Sequence, residues 1–352
     1  NFVVATVDAT VAHVTGDGCK LEVLLQEHGA AIHAIACNPA QPLICMGSYC
    51  GLLKVWDYEK KEPLCSRLFG RGNYIQCVTY NKTGTLLGVG LTDGCVHILD
   101  ALSLNDELPE PFQYARDAVT QIAFSHNSNY LATIDSKTAV TVFLFKEKSW
   151  DYLGRQNAHF KPIQNLMFGI YLDSNQPRLL SLGEDRVLVE YDLAHSTEDD
   201  LKILSNERIE QSAVPACMAW YPPISKESFI ITANNQYKLK LYNATTKMCR
   251  KIEVLPFSND SEVKKCYLAY ITDNKVGLQT LPLDGNPHKS CAVICHGTMV
   301  SNIACSYDGS YIFTAGGDDC TVHMWKVDLM WNFMVPLQRE WGWKMARAIQ
   351  NS

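Results

Sequence analysis

Charge is scarce in this sequence of 352 residues: Asp, Glu, Lys and Arg make up only 19% of it, while hydrophobic residues reach 47%. A disordered chain or a long coiled coil needs the opposite balance, so neither is expected. Basic runs are also missing. Lys and Arg number 31 against 37 Asp and Glu, a net charge of −6, which leaves no cationic track for phosphates, and nucleic acid is not an expected partner. No stretch approaches the roughly 18 consecutive apolar residues of a membrane helix, and the opening NFVVATVDATVAHV has neither a basic leader nor a small-residue cleavage site. The expectation is a cytoplasmic chain without a membrane partner. Because the first residue is Asn, the sequence is expected to begin inside a longer protein.

The sequence offers little recognisable chemistry. No G-x-G-x-x-G leads from strand to helix, and Walker, H-E-x-x-H, G-x-S-x-G and D-x-D-x-D patterns are missing. The acidic clusters STEDD (196–200) and SNDSE (258–262) fall between strand-like runs, where solvated loops account for them. The 14 cysteines are scattered through apolar runs such as LICMGSYC, as expected of small core residues kept reduced. Cys291, Cys295 and His296 lack a fourth ligand at a suitable spacing. No catalytic residue, cofactor or metal is therefore expected, and the chain is not expected to be an enzyme.

What the sequence does have is repetition. The short runs LLKVWDY, CVHILDA, VTVFLFK, VLVEYDL, LKLYNAT and TVHMWKV end on a large apolar residue at Trp56, Leu99, Phe145, Tyr191, Tyr242 and Trp325. A further unit ends near Leu281, so seven units of roughly 43 residues run from about 28 to 328, the period of a four-stranded propeller blade. Each unit reads as three alternating runs punctuated by Gly and Asp turns, without helix. The reading is all-β, a seven-bladed β-propeller. The third unit shows no clean turn Asp before Phe145, and the sixth lacks an obvious innermost strand.

The recurring polar residues fit a structural device. His296, Asp319 and Trp325 are read as one buried network, in which an imidazole bridges a turn carboxylate and, through a Ser or Thr, an indole nitrogen. His159, Asp185 and Tyr191 repeat the pattern, and Asp93 supplies the turn carboxylate before Leu99. His28 and Trp56 lack it, because Cys50 stands at the turn. Recurrence once per unit favours scaffolding over catalysis.

The ends are read as follows. Residues 1–15 are expected to be the end of a preceding propeller or an N-terminal extension, and 16–328 the seven-bladed propeller, with 16–27 as its closing strand. Residues 329–352 form an aromatic-rich tail in which LMWNFMVPL could add an outer strand and QREWGWKMARAIQNS a basic amphipathic segment for a calmodulin-like partner. Trp150, Tyr152, Trp331, Trp341 and Trp343, with Tyr49, Tyr74 and Tyr114, are the candidate partner contacts.

The units from His28 to Asp57, His159 to Asp192 and His296 to Lys326 resemble WD repeats, and the likeness extends over nearly the whole chain. The stretches KVGLQTLPLDGNPHKSCAVICH and SYDGSYIFTAGGDDCTVHMWKV further resemble the C-terminal propeller of WD40-family proteins of motile axonemes. That resemblance implies two tandem propellers and a non-enzymatic scaffold of the cilium or flagellum. It implies partners among the calmodulin- and spoke-associated complex, radial spoke subunits and the doublet microtubule, at the base of the third spoke. After Asp328 the sequence departs from the family's acidic, EF-hand-like continuation, which removes support for a calcium-linked role. The alternative reading of the repeat is a soluble adaptor, such as a ubiquitin-ligase substrate receptor or trafficking platform, and after it a chromatin reader.

Overall fold

The computed structural model describes residues 28–70, 72–115, 117–147, 149–171, 173–198, 200–221, 229–236, 238–245, 267–281 and 289–327 in full. It also gives the backbone of the strands Phe2–Ala5, Thr10–Thr15, Lys20–Gln26 and Cys249–Arg250, of Asp328, and of Phe333–Pro336. Among the described residues the strands form eight antiparallel sheets in chain order. The first holds the three strands before residue 27, and the other seven are the blades of a WD40-type propeller. By residue numbers the blades are 32–68, 75–100, 119–156, 163–208, 215–250, 267–294 and 302–336, numbered 1 to 7 below.

In blades 1 and 4 burial falls from the second strand to the fourth. In blade 1 the second strand, Leu43–Ser48, is buried at every position, whereas the fourth, Glu62–Leu68, is mostly exposed. A strand covered on both faces needs no polar alternation, which is why LICMGS reads as a continuous apolar run. Inner strands follow neither pattern. Val119–Phe124 buries its first and fourth residues, because the register slips between Val119 and Gln121 and so turns two consecutive side chains out of the core. Comparable slips occur in the inner strands at Ile32/Ala34, Ile163/Asn165 and Pro215/Cys217.

Chain contacts divide the molecule into two units, one containing residues 1–76 with 263–281 and 286–352, the other 77–262 with 282–285. In the second unit, cores lie between successive blades: Phe143 and Leu131 of blade 3 meet Ile98 of blade 2, and Val142 of blade 3 meets Leu179 and Tyr191 of blade 4. Gly169 of blade 4 is required by close approach, since a Cβ there would collide with the indole of Trp220 in blade 5. In the first unit Ile35, Ile44 and Met46 of blade 1 pack with Phe313 and Met324 of blade 7. Ile32 N donates to Gly317 O at 3.2 Å, and Ser301 Oγ donates to Ile32 O at 3.1 Å.

Three expectations change. The outer edge of blade 7's strand Val322–Asp328 is taken by Phe333–Pro336, while Lys20–Gln26 pairs with Thr10–Thr15 instead of closing that blade. A pairing across a four-residue connection costs far less loop entropy than one spanning most of the chain. In the third unit the repeat's large residue is Phe143, 1% exposed, and not Phe145, which is 40% exposed. The turn there places Lys137 where Asp93, Asp185 and Asp319 stand, followed by Thr138 at φ 66°, and the core position comes six residues after Lys137. Blade 2 has three strands, and its fourth place holds only isolated bridges from Phe112 to Val96 and from Asp106 to Leu99. Blade 6 is three-stranded among the described residues, and the place of its innermost strand, 251–266, lies outside them.

Candidate functional site

Blade 7 assembles the polar network from three separate segments. His296 precedes its inner strand, Thr314 lies on Tyr311–Ala315, Asp319 is in the following turn, and Trp325 is on Val322–Asp328. His296 Nδ1 is 2.7 Å from Asp319 Oδ2, which assigns the imidazole proton to that nitrogen. Nε2 then accepts from Thr314 Oγ1 at 2.9 Å, and the same hydroxyl accepts from Trp325 Nε1 at 3.0 Å. Burial by itself pushes Asp319 up, but hydrogen bonds from Thr321 and His296 outweigh it, and the carboxyl lies below its usual range.

Blade 4 repeats the chain with one exchange. His159 Nδ1 is 3.0 Å from Asp185 Oδ1, Nε2 is 2.7 Å from Ser181 Oγ, and Ser181 Oγ is 2.9 Å from the Tyr191 hydroxyl. The phenol thus takes the indole's part. His159 and Asp185 are buried, so each polar atom left without its partner would carry a desolvation cost. Blade 1 has a shorter version: Ser48 Oγ lies 2.8 Å from His28 Nδ1 and 2.9 Å from Cys50 Sγ, and Trp56 packs at the edge of the core shared with blade 7. Burial, then the charge of Lys54, lowers His28 to about 4. In blade 2 Asp93 Oδ1 accepts from Cys95 N at 2.9 Å and holds its turn locally.

In blades 4 and 7 imidazole, carboxylate and hydroxyl bond to one another inside the blade, whereas His28 Nε2 of blade 1 is buried without a hydrogen-bond partner; among the described residues no group of three or more His, Cys, Asp or Glu is placed to hold a metal ion. Burial raises the thiols of Cys37, Cys45 and Cys77, as suits packed cysteines. Sequence reasoning missed a buried charge pair, Arg178 with Glu190. Arg178 Nε donates to Glu190 Oε1 at 2.6 Å and Nη2 to Oε2 at 2.9 Å, while the Tyr171 hydroxyl donates to Oε1 at 2.9 Å. The guanidinium also donates to Ala244 O and lies over the rings of Tyr171 and Trp220, tying blade 4 to blade 5 beside a cleft of about 510 Å³. The signal was present as two charges inside the otherwise apolar runs RLLSL and VLVEY.

The candidate partner contacts separate into packing and surface residues. Trp150 is half-buried among Phe112, Phe124 and Phe145. Tyr152 stacks on Tyr114 at 4.4 Å and 4°, leaving Tyr114 exposed. Tyr49 and Tyr74 belong to a row of rings with His33. Trp331, Trp341 and Trp343, with the rest of the aromatic tail, lie outside the described residues.

Comparison with known proteins agrees with this architecture. The family described as WD domain, G-beta repeat, matches residues 19–57 and 288–326. The solved structure titled "Crystal Structure of Mitotic Checkpoint Complex" contains a chain that superposes with a TM-score of 0.62 at 18% identity, covering 84% of this chain and 87% of that one, a likeness of fold. Over 94% of its length the chain is 51% identical to cilia- and flagella-associated protein 251 of Mus musculus, and over the same share 29% identical to the protein of that name from Tetrahymena thermophila. It spans 27% and 39% of those two proteins, respectively. The chain is a WD40-repeat chain similar, along nearly all of its length, to a segment of cilia- and flagella-associated protein 251.

Proposed function

We propose that the chain is a non-enzymatic protein-interaction scaffold of the motile cilium or flagellum. Within the axoneme it helps join the base of the third radial spoke to the doublet microtubule, in company with the calmodulin- and spoke-associated complex. The observation that carries this reading is the 51% identity over 94% of the chain to a protein named for cilia and flagella. The physical character of the fold supports it. Blades 4 and 7, each fastened internally by a His–Asp–hydroxyl chain, and apolar cores between successive blades favour a body that keeps its shape under load, and the connecting loops offer separate places for partners.

Tagging the full-length protein in ciliated cells tests the reading. Signal along the axoneme that survives detergent extraction of the membrane, and loss of spoke-base components on deletion of the gene segment encoding this chain, are expected. A diffuse or nuclear signal, or motile cilia of normal composition after the deletion, would overturn it and favour a soluble adaptor.

A further inference from the structure

We infer that the row of rings formed by His33, Tyr49 and Tyr74, together with the Asp318 carboxylate, is a docking site for an arginine side chain presented by a protein partner. The inference deepens the scaffold reading by giving the chemistry of one contact, and it rests on that reading for the source of the arginine.

The site grows out of the repeat. The register slip between Ile32 and Ala34 turns His33 out of the core of blade 1, and the blade's next turn carries Tyr49, whose N donates to Ala31 O at 3.0 Å. The His33 and Tyr49 rings are 4.3 Å apart and tilted by 41°; Tyr49 and Tyr74 are 6.1 Å apart and tilted by 44°. The Tyr49 hydroxyl donates to Gln76 Oε1 at 3.1 Å, which fixes the middle ring. At the other end stands blade 7's turn. A Cβ at Gly317 would come within 3.1 Å of His33 Cε1, so the glycine lets the imidazole lie against backbone, and Asp318 follows directly. Asp318 is exposed, and among the described residues it forms no ion pair. Tyr74 is 46% exposed.

This combination suits a planar cation. Ring faces attract a guanidinium, and its forked donors match a carboxylate. The rings run in a row and do not box a centre, so they offer stacking area to a flat group where a methylated ammonium would need enclosure. The negative member of the site makes an acidic partner unfavourable here.

The test uses the full chain and short Gly-Ser peptides carrying a central Arg, Lys, trimethyl-Lys or Gln, displayed densely on a biosensor surface. The Arg surface is expected to retain the chain best. Asp318→Asn should weaken that retention about fivefold and Tyr74→Leu by a similar factor, while Glu110→Gln, on an exposed loop, leaves it unchanged. Both site variants change exposed residues, and matching circular dichroism spectra confirm that they fold. Equal retention on Arg and Gln surfaces, no retention on any, preference for trimethyl-Lys, or wild-type retention by Asp318→Asn would each overturn the inference. None of these results alters the axonemal localisation, so failure of this contact and failure of the scaffold reading are separable.

Discussion

Thr314 shows how much a single hydroxyl carries. It is fully buried and serves both Trp325 Nε1 and His296 Nε2. Thr314→Val keeps the shape and removes both bonds, so urea unfolding should show a loss of about 2–4 kcal/mol. Tyr191→Phe removes only the bond to Ser181 and should cost about 1 kcal/mol; equal, negligible effects would contradict the network. His28 gives a pH signature. Its folded pKa, about 4, lies below the ordinary 6.5, so at acid pH the unfolded state takes up the proton first. Stability tied to this neutral imidazole is complete above pH 6.5 and falls by roughly 1–3 kcal/mol as pH drops toward 4. Comparing His28→Gln with the parent by chemical unfolding at pH 7 and pH 4.5 should show a smaller acid loss in the variant.

At the scale of strands and blades, the repeat was legible because the blades share apolar residues on strands covered from both sides and, in blades 1, 2, 3, 4 and 7, a turn that admits a left-handed residue. Gly51, Gly94, Thr138, Arg186 and Cys320 take that place, with φ from 55° to 89°. Where Thr replaces Gly and Lys137 replaces Asp, the sequence loses its marker and the eye follows the next aromatic, Phe145, two residues too far. Alanine substitution separates the two positions: Phe143→Ala should cost about 3–5 kcal/mol, Phe145→Ala less than about 1 kcal/mol. Inner strands were less legible than middle ones, since the register slip replaces alternation by a spacing of three, as at Val119 and Ile122. The His–Asp pairs could be read from spacing, but the Arg178–Glu190 pair could not, because its partners meet through strand register and not through a motif. Blade-to-blade fit has its own test in Gly169→Ala. The added methyl meets the Trp220 ring, and overpacking should lower stability by roughly 1–3 kcal/mol.

At the scale of the whole molecule, low charge and seven successive blades fit a body that holds positions. The three strands before residue 27 hydrogen-bond only to one another, as a sheet of their own. Function at this scale is a matter of neighbours, and neighbours leave reactive lysines within reach of one another. Lys137 on blade 3, Lys161 in the loop between blades 3 and 4, and Lys202 on blade 4 are exposed. The measurement that tests the scaffold most directly is crosslinking mass spectrometry on isolated motile axonemes. The account predicts repeated crosslinks from these lysines to proteins of the radial spoke base and the doublet wall; crosslinks confined to soluble or nuclear proteins, with none to axonemal components, would contradict it.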